Sequence, residues 1–208
     1  MLYTSTVEPN TLVVLKQLMQ MPELQDFYLV GGTCLSLRYG HRISVDIDLF
    51  STNNFENDQI ISALEREFET FQYKNANNPA GIFGFIGNLK VDLVKHYYFK
   101  QIGTAIIEDG IRMFSDKDII AMKVFAILKR AQKKDFWDIA ELLQHYTIQD
   151  FIDYYTEKYP SHQLLISIPQ ALTYFSEADE GEDPISLKGQ NWESVQKIIK
   201  NKVSEYLS

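Results

Sequence analysis

One stretch limits what this chain can fold into more than any other. Residues 28–50 read YLVGGTCLSLRYGHRISVDIDLF. A short apolar run, Tyr28-Leu29-Val30, stops at Gly31-Gly32, and a helix-length segment follows. The run Ser44-Val45-Asp46-Ile47-Asp48-Leu49-Phe50 then alternates polar and apolar residues, the period-two pattern of a strand with one buried face. It predicts a strand over 44–50, with Val45, Ile47 and Leu49 in a core and Ser44, Asp46 and Asp48 sharing the opposite face. The two carboxylates would stand about 7 Å apart at their Cα atoms. Like charges at that spacing repel, and a cation or a proton settles them. Magnesium bridging triphosphate oxygens is a natural partner, because hard oxygen ligands suit that ion. The plainer alternative is the wet side of an amphipathic edge strand.

The flanking chain builds a mixed α/β unit around this run. Leu12, Val13, Leu15, Leu18 and Met19 have helical spacing, and Phe27 to Val30 read as a strand. Gly31-Gly32 marks a tight turn where backbone can approach a ligand closely. A short helix starts at Thr33 or Cys34 and ends at Gly40 as its C-cap. A second amphipathic helix covers 57–68, and strands are expected over 70–74, 82–86 and 89–94. In the last of these Leu89, Val91 and Leu93 face one way, Lys90 and Asp92 the other. Asp92 is therefore either a third carboxylate beside Asp46 and Asp48 or a solvent-facing strand residue.

From Ser115 the pattern is helical. Ser115-Asp116-Lys117-Asp118 has the form of a capping box, and residues 119–128 are apolar nearly all round. Lys123 lies inside that run, where an unpaired ammonium is costly. Its partner is a structural carboxylate or a ligand phosphate. Lys129, Arg130, Lys133 and Lys134 cluster at the helix end, where cations also complement the helix dipole. Asp135 and Asp138 open the next helix, and N-terminal capping suffices to explain one of them. Residues 148–208 read as helices with packing faces, including 151–159 and 161–175, interrupted by an acidic loop over 177–184. The expected organisation is an α/β (α+β) core over 1–110, a small mixed sheet with flanking helices, and a helical region over 111–208 packed on it.

Composition narrows the function classes. No apolar run approaches the roughly 18 residues of a membrane span, and MLYTSTVEPN lacks the pattern of a secretory signal. The default expectation is a cytoplasmic protein. The single cysteine, Cys34, excludes a disulfide framework and a cysteine-rich zinc site. A formal charge of -8 argues against broad nucleic-acid binding while leaving room for a local basic patch.

A glycine turn, a short helix, an Asp-x-Asp strand and a third strand Asp together fit magnesium-dependent nucleotidyl transfer with two metal ions. The runs GGTCLSLRYGHRISVDIDLF and DKDIIAMKVFAILKRAQKKDFWDIAELL resemble the bacterial AbiEii/AbiGii-type nucleotidyltransferase toxins of the polymerase-β-like superfamily. The resemblance implies transfer of an NMP from an NTP to an acceptor, with RNA (a tRNA 3′ end) expected, and a cognate antitoxin as partner. It implies that Gly31, Gly32 and Thr33 form the nucleotide-binding turn. Asp46 and Asp48, with Asp92, would hold Mg2+. Lys123 would contact the triphosphate, and Asp135 would be the acidic residue of the last motif. His41, Arg42 and Ser44 fit the family's HR-x-S-x-D pattern, with Arg42 and Ser44 expected near the nucleotide. Many superfamily members carry Gly-Ser where this chain has Gly-Gly-Thr. Kinase-like phosphoryl transfer and a binding module without turnover are the competing readings.

Overall fold

The computed structural model describes all residues 1–208. Seven strands form one mixed sheet: β1 (Phe27–Val30), β2 (Ile47–Ser51), β3 (Phe71–Tyr73), β4 (Gly81–Ile86), β5 (Leu89–Lys95), β6 (Ile106–Glu108) and β7 (Ile111–Met113). Their spatial order is β3-β4-β5-β2-β1-β7-β6. β2 sits at the centre, antiparallel to β1 and parallel to β5. Helices α1 (Pro9–Gln20), α2 (Gly31–Tyr39) and α3 (Asn57–Glu67) belong to the first half. α4 (Asp116–Lys129), α5 (Lys133–Leu142), α6 (Ile148–Lys158), α7 (Ile168–Leu172) and α8 (Trp192–Leu207) make up the second. No helix is long and apolar enough to cross a membrane.

The register of the central strands decides where the carboxylates go. Leu29 pairs with Leu49, Leu49 with Leu93, and Leu93 with Ile82, so one face carries a row of four fully buried side chains. Each contributes on the order of 1.5–3 kcal/mol by leaving water. The next row, Val30, Asp48, Asp92 and Phe83, therefore lies on the opposite face. A slip by one residue would exchange the two rows and bury both aspartates in the apolar core, which fixes the register.

Three expectations change in the structure. The central strand starts at Ile47, not Ser44. β1 ends at Val30 opposite Asp48, so nothing continues the ladder on that side. Residue 44 is instead tied elsewhere, its N–H donating to Thr6 O at 2.9 Å. Val45 is consequently 57% exposed while Ser44 is buried, the reverse of the alternation. Second, Ser115 Oγ accepts from the Asp118 N–H at 3.3 Å, but the Asp118 carboxylate returns only to the Ser115 hydroxyl, at 2.6 Å, and not to its backbone N–H, so no box closes. The carboxylate also accepts from Ile102 N, Gly103 N and the buried Lys158 ammonium, pinning the loop after β5. Third, the helix expected over 161–175 is confined to Ile168–Leu172, because Pro169 and the Ser167–Gln170 capping box start it late.

The hairpin β6–β7, which hydrophobic patterning missed, turns at Asp109-Gly110 with φ 51° and 78°. Those angles suit the two-residue hairpins that favour Asp-Gly. It carries the sheet to residue 113, beyond the boundary expected at residue 110. The helical half is clamped by aromatics, with Trp137 of α5 stacked on Trp192 of α8 at 5.8 Å and 8°. α5 packs in turn on α4 and α2.

Candidate active site

A cavity of about 590 Å³ opens where α2, the segment before β2, and the α4–α5 junction meet. Gly31, Gly32, Arg42, Ser44, Asp46, Asp48, Lys123, Arg130, Lys133 and Lys134 line it. The far rim is the acidic segment, through Glu177, Glu182 and Asp183.

The glycine pair is required by close approaches within the protein. Gly31 has φ +71°, and a Cβ there would stand 2.7 Å from Asp48 Oδ2. A Cβ at Gly32 would fall 2.2 Å from Arg42 Nη2. Glycine thus lets the Asp48 carboxylate and the Arg42 guanidinium lie directly against the start of α2. No side chain caps that N-terminus, whose first amides have no intrahelical partners and form a natural anion site.

Asp46 and Asp48 both face the cavity. Lys134 Nζ lies 3.6 Å from Asp46 Oδ2. Asp48 pairs in register with Asp92 on β5, and neighbouring strands are only about 4.8 Å apart. Burial first, then the Asp92 charge, pushes the Asp48 carboxyl above its ordinary range, with Lys90 opposing. Asp92 is buried, its Oδ2 takes a hydrogen bond from Lys90, and its Oδ1 has no partner. No group of three acidic, histidine or cysteine side chains is drawn together as a finished metal cage. Nevertheless the donors suit a hard cation. They are carboxylate oxygens, one is orphaned, one acid resists ionisation, and two are faced by ammonium groups.

Behind this row stands a buried ion network. Asp138 is fully buried. It accepts from Arg42 Nε at 2.7 Å and Nη2 at 2.9 Å, and its Oδ1 lies 2.8 Å from His41 Nε2. Lys123 Nζ lies 2.9 Å from Asp135 Oδ1 and 2.5 Å from Asp138 Oδ2. Arg130 adds Nε and Nη2 bonds to Asp135 at 3.1 and 3.2 Å. Burial works to raise the Asp138 carboxyl, but Arg42, Lys123 and the His41 hydrogen bond hold it well below the usual range. Burial opposes Asp135 likewise, and Lys123 and Arg130 bring it down.

The sequence-derived residues therefore separate into two groups. Gly31, Gly32, Arg42, Ser44, Asp46, Asp48 and Lys123 line the cavity, and Asp92 does not, standing one strand over beside Asp48. Nor does Thr33: it is buried, its hydroxyl donating to Asp46 O and hydrogen-bonded to the Ser44 hydroxyl at 2.9 Å, and so positions the segment before β2. Asp135 does not either. It has no exposed surface and acts on the cavity through Lys123 and Arg130. For Lys123 the carboxylate partner is the observed one, and with three donors and two acids engaged it retains one N–H. The basic cluster does not form a single patch: Lys133 pairs with Asp183 at 2.7 Å and Lys134 faces Asp46.

Arg42, expected near the nucleotide, and His41 of the same HR-x-S-x-D pattern share Asp138 across nearly a hundred residues, a partner that sequence reasoning did not assign to either. The acidic segment reaches the rim because Ile43 N donates to Ile185 O and Leu187 N to His41 O, both at 2.9 Å. Five carboxylates within 177–183 were its visible signal.

Comparison with known proteins bears on the fold and the family. An uncharacterized protein of Aquifex aeolicus is 31% identical over 202 residues, covering 93% of this chain and 94% of its own. The JHP933 protein of Helicobacter pylori has a similar fold, with TM-score 0.62 and 16% identity over 94% of this chain and 88% of that one. The nucleotidyltransferase toxin MenT4 of Mycobacterium tuberculosis matches at TM-score 0.54 and 9% identity, over 93% and 82% respectively. Residues 13–197 match the family described as nucleotidyl transferase AbiEii toxin, type IV TA system. The chain belongs to that family and is a nucleotidyltransferase.

Proposed function

We propose that this enzyme moves an NMP from a magnesium-bound NTP to the 3′ end of an RNA, a tRNA being the favoured acceptor, and that it serves as a toxin restrained by a cognate antitoxin. The observation that carries the transfer chemistry is Asp48, wedged between the uncapped start of α2 and Asp92, with Asp46 beside it at the cavity wall. Asp46, Asp48 and Asp92 would hold the magnesium, which when bound supplies Lewis-acid stabilisation of phosphoryl oxygens and a more acidic attacking hydroxyl. The chain's own groups do the rest. The first α2 amides and the free N–H of Lys123 bind phosphate oxygens. Arg42, locked by Asp138, fixes the wall beside Gly32. Asp135 keeps Lys123 and Arg130 charged and aimed. Burial of Lys123 and Arg42 strengthens their contacts relative to water.

The RNA acceptor and the toxin role rest on family likeness and are tested together. The enzyme is incubated with magnesium, each α-labelled NTP in turn and total cellular RNA, with Asp46→Asn run alongside. Label in tRNA from one NTP, reduced about a hundredfold or more in the variant, is the expected result. Full activity in Asp46→Asn, or label transferred only from the γ-phosphate, would overturn the reading.

A further inference from the structure

Asp48 has a second cavity on its other side. It measures about 400 Å³ and shares Gly31, Asp48, Lys123 and Arg130 with the first, a size typical of small-molecule sites. Its character is different. Where the first cavity is lined by charge, this one is walled by rings: Phe50 from β2, His96 and Phe99 from the loop after β5, Phe125 from α4, and Tyr159. Phe99 and Phe125 keep partly open surfaces, while Tyr159 and His96 are buried behind them. Tyr159 meets Phe99 edge-on at 5.0 Å and stacks on Phe125 at 5.3 Å, so the two open rings are braced. Lys95, Lys129 and Arg130 complete the lining.

Open aromatic rings beside several cations are what binds single nucleotides and strand ends: rings take the flat base and cations take the phosphate. His96 adds a polar group. It is 6% exposed, and its Nε2 has no hydrogen-bond partner. Burial, helped by Lys158, pushes its pKa down to about 4, so the imidazole is neutral and carries both a donor and an acceptor nitrogen.

We infer that this ring-walled cavity is a nucleobase subsite, in which a base packs on Phe99 and Phe125 with its phosphate directed past Arg130 toward Asp48, and that His96 contributes to choosing the base. The inference rests on the nucleotidyl-transfer reading and adds to it the place and chemistry of base recognition. The base has two possible sources, the NTP donor or the last nucleotide of the acceptor.

Binding, not turnover, separates these sources. Affinities of the full-length protein with magnesium are measured for four non-hydrolysable NTP analogues, for inorganic tripolyphosphate, and for a short single-stranded RNA. Wild type is compared with Phe99→Ala, Phe99→Tyr and His96→Phe. Phe99 is the most exposed of the rings, so its replacement leaves the core intact. Phe99→Ala is expected to weaken one base-bearing ligand roughly tenfold or more, with tripolyphosphate unchanged and Phe99→Tyr near wild type. His96→Phe is expected to flatten the preference among bases. Weakening of the NTP analogues assigns the donor base, and weakening of RNA alone assigns the acceptor base. Equal loss for tripolyphosphate, or no change for any ligand, overturns the subsite. Because Asp46→Asn loses transfer without losing these rings, failed transfer with intact base binding counts against the catalytic reading only.

Discussion

Arg42 grips both carboxylate oxygens of Asp138, through Nε at 2.7 Å and Nη2 at 2.9 Å, across 96 positions of sequence. This fork joins the segment before β2 to α5, and so joins the sheet-borne acids to the helical half. Bidentate pairing of this kind is among the stronger charge-assisted contacts.

Replacing Asp138 with Asn leaves Arg42 and Lys123 short of an anion in a buried site, and such a loss costs about 3–5 kcal/mol. The pH dependence has a definite sign. A carboxyl held below its ordinary range contributes its full stability above that range and loses it progressively as pH falls from the ordinary unfolded value toward the depressed folded one. Urea unfolding followed from pH 7 to pH 3 is therefore expected to show wild type losing stability through this group only below about pH 4–5. The destabilisation of Asp138→Asn should be nearly constant from pH 7 down to that range and shrink below it.

Asp48 has the opposite sign. Burial and Asp92 raise its carboxyl, so ionising it costs folded-state stability, and that cost grows as pH rises from the unfolded value through the raised folded one. Asp48→Asn is expected to melt higher than wild type at pH 7 in chelator. It should gain less from added magnesium and lose transfer by on the order of a hundredfold or more. Thermal melts with and without the cation, beside a transfer assay, check all three.

The glycine pair is testable without touching a charge. Gly31→Ala forces an L side chain into φ +71° and against Asp48, at about 1–2 kcal/mol for the backbone alone. Gly32→Ala drives its methyl into Arg42 Nη2, with about 1–3 kcal/mol expected for overpacking. Both variants should fold, with transfer reduced more than stability. A Gly32→Ala protein as active as wild type would show that Arg42 yields freely.

Asp183 and Lys133 form a pair on the rim, with Asp183 well exposed. Exposed pairs contribute about 0–1 kcal/mol, so Asp183→Asn should leave the melting point nearly unchanged. It removes one negative charge from the entrance and frees Lys133. Nucleotide affinity at low salt is expected to rise, and to fall back toward wild type as screening increases. Titrations at two ionic strengths decide it.

Periodicity made most elements legible, because amphipathic helices and half-buried strands announce their buried faces. It misled at Val45, where alternation continues in the sequence after the strand's pairing partner has turned away at Gly31. It was silent on β6 and β7, whose three-residue strands are too short to show a period, although Asp109-Gly110 marked the turn. At the site, strand pattern marked Asp46, Asp48 and Asp92 as candidates, but left open whether Asp92 faced solvent or stood beside Asp48, a choice that only the β2–β5 register makes. Asp135 and Asp138 could not be assigned: an acid in a helix's first turn satisfies the dipole rule locally, and nothing nearby reveals that Lys123, Arg42 and His41 converge on them. The unpaired Lys123 in an apolar helix was the one clue that an acid had to arrive from elsewhere. His96 gave less still, only the aromatic run His96-Tyr97-Tyr98-Phe99 following β5.

The two backbone bonds between residues 41–43 and 185–187 also set an order of events during synthesis. Asp46, Asp48 and Asp92 leave the ribosome early, then Asp138, whose arrival locks Arg42. The acidic rim comes last, and until it is translated the edge at His41 and Ile43 has no mate. A nascent chain thus carries its acids long before it carries a finished entrance, and the interval between them is a window in which whatever meets the growing polypeptide finds this edge open.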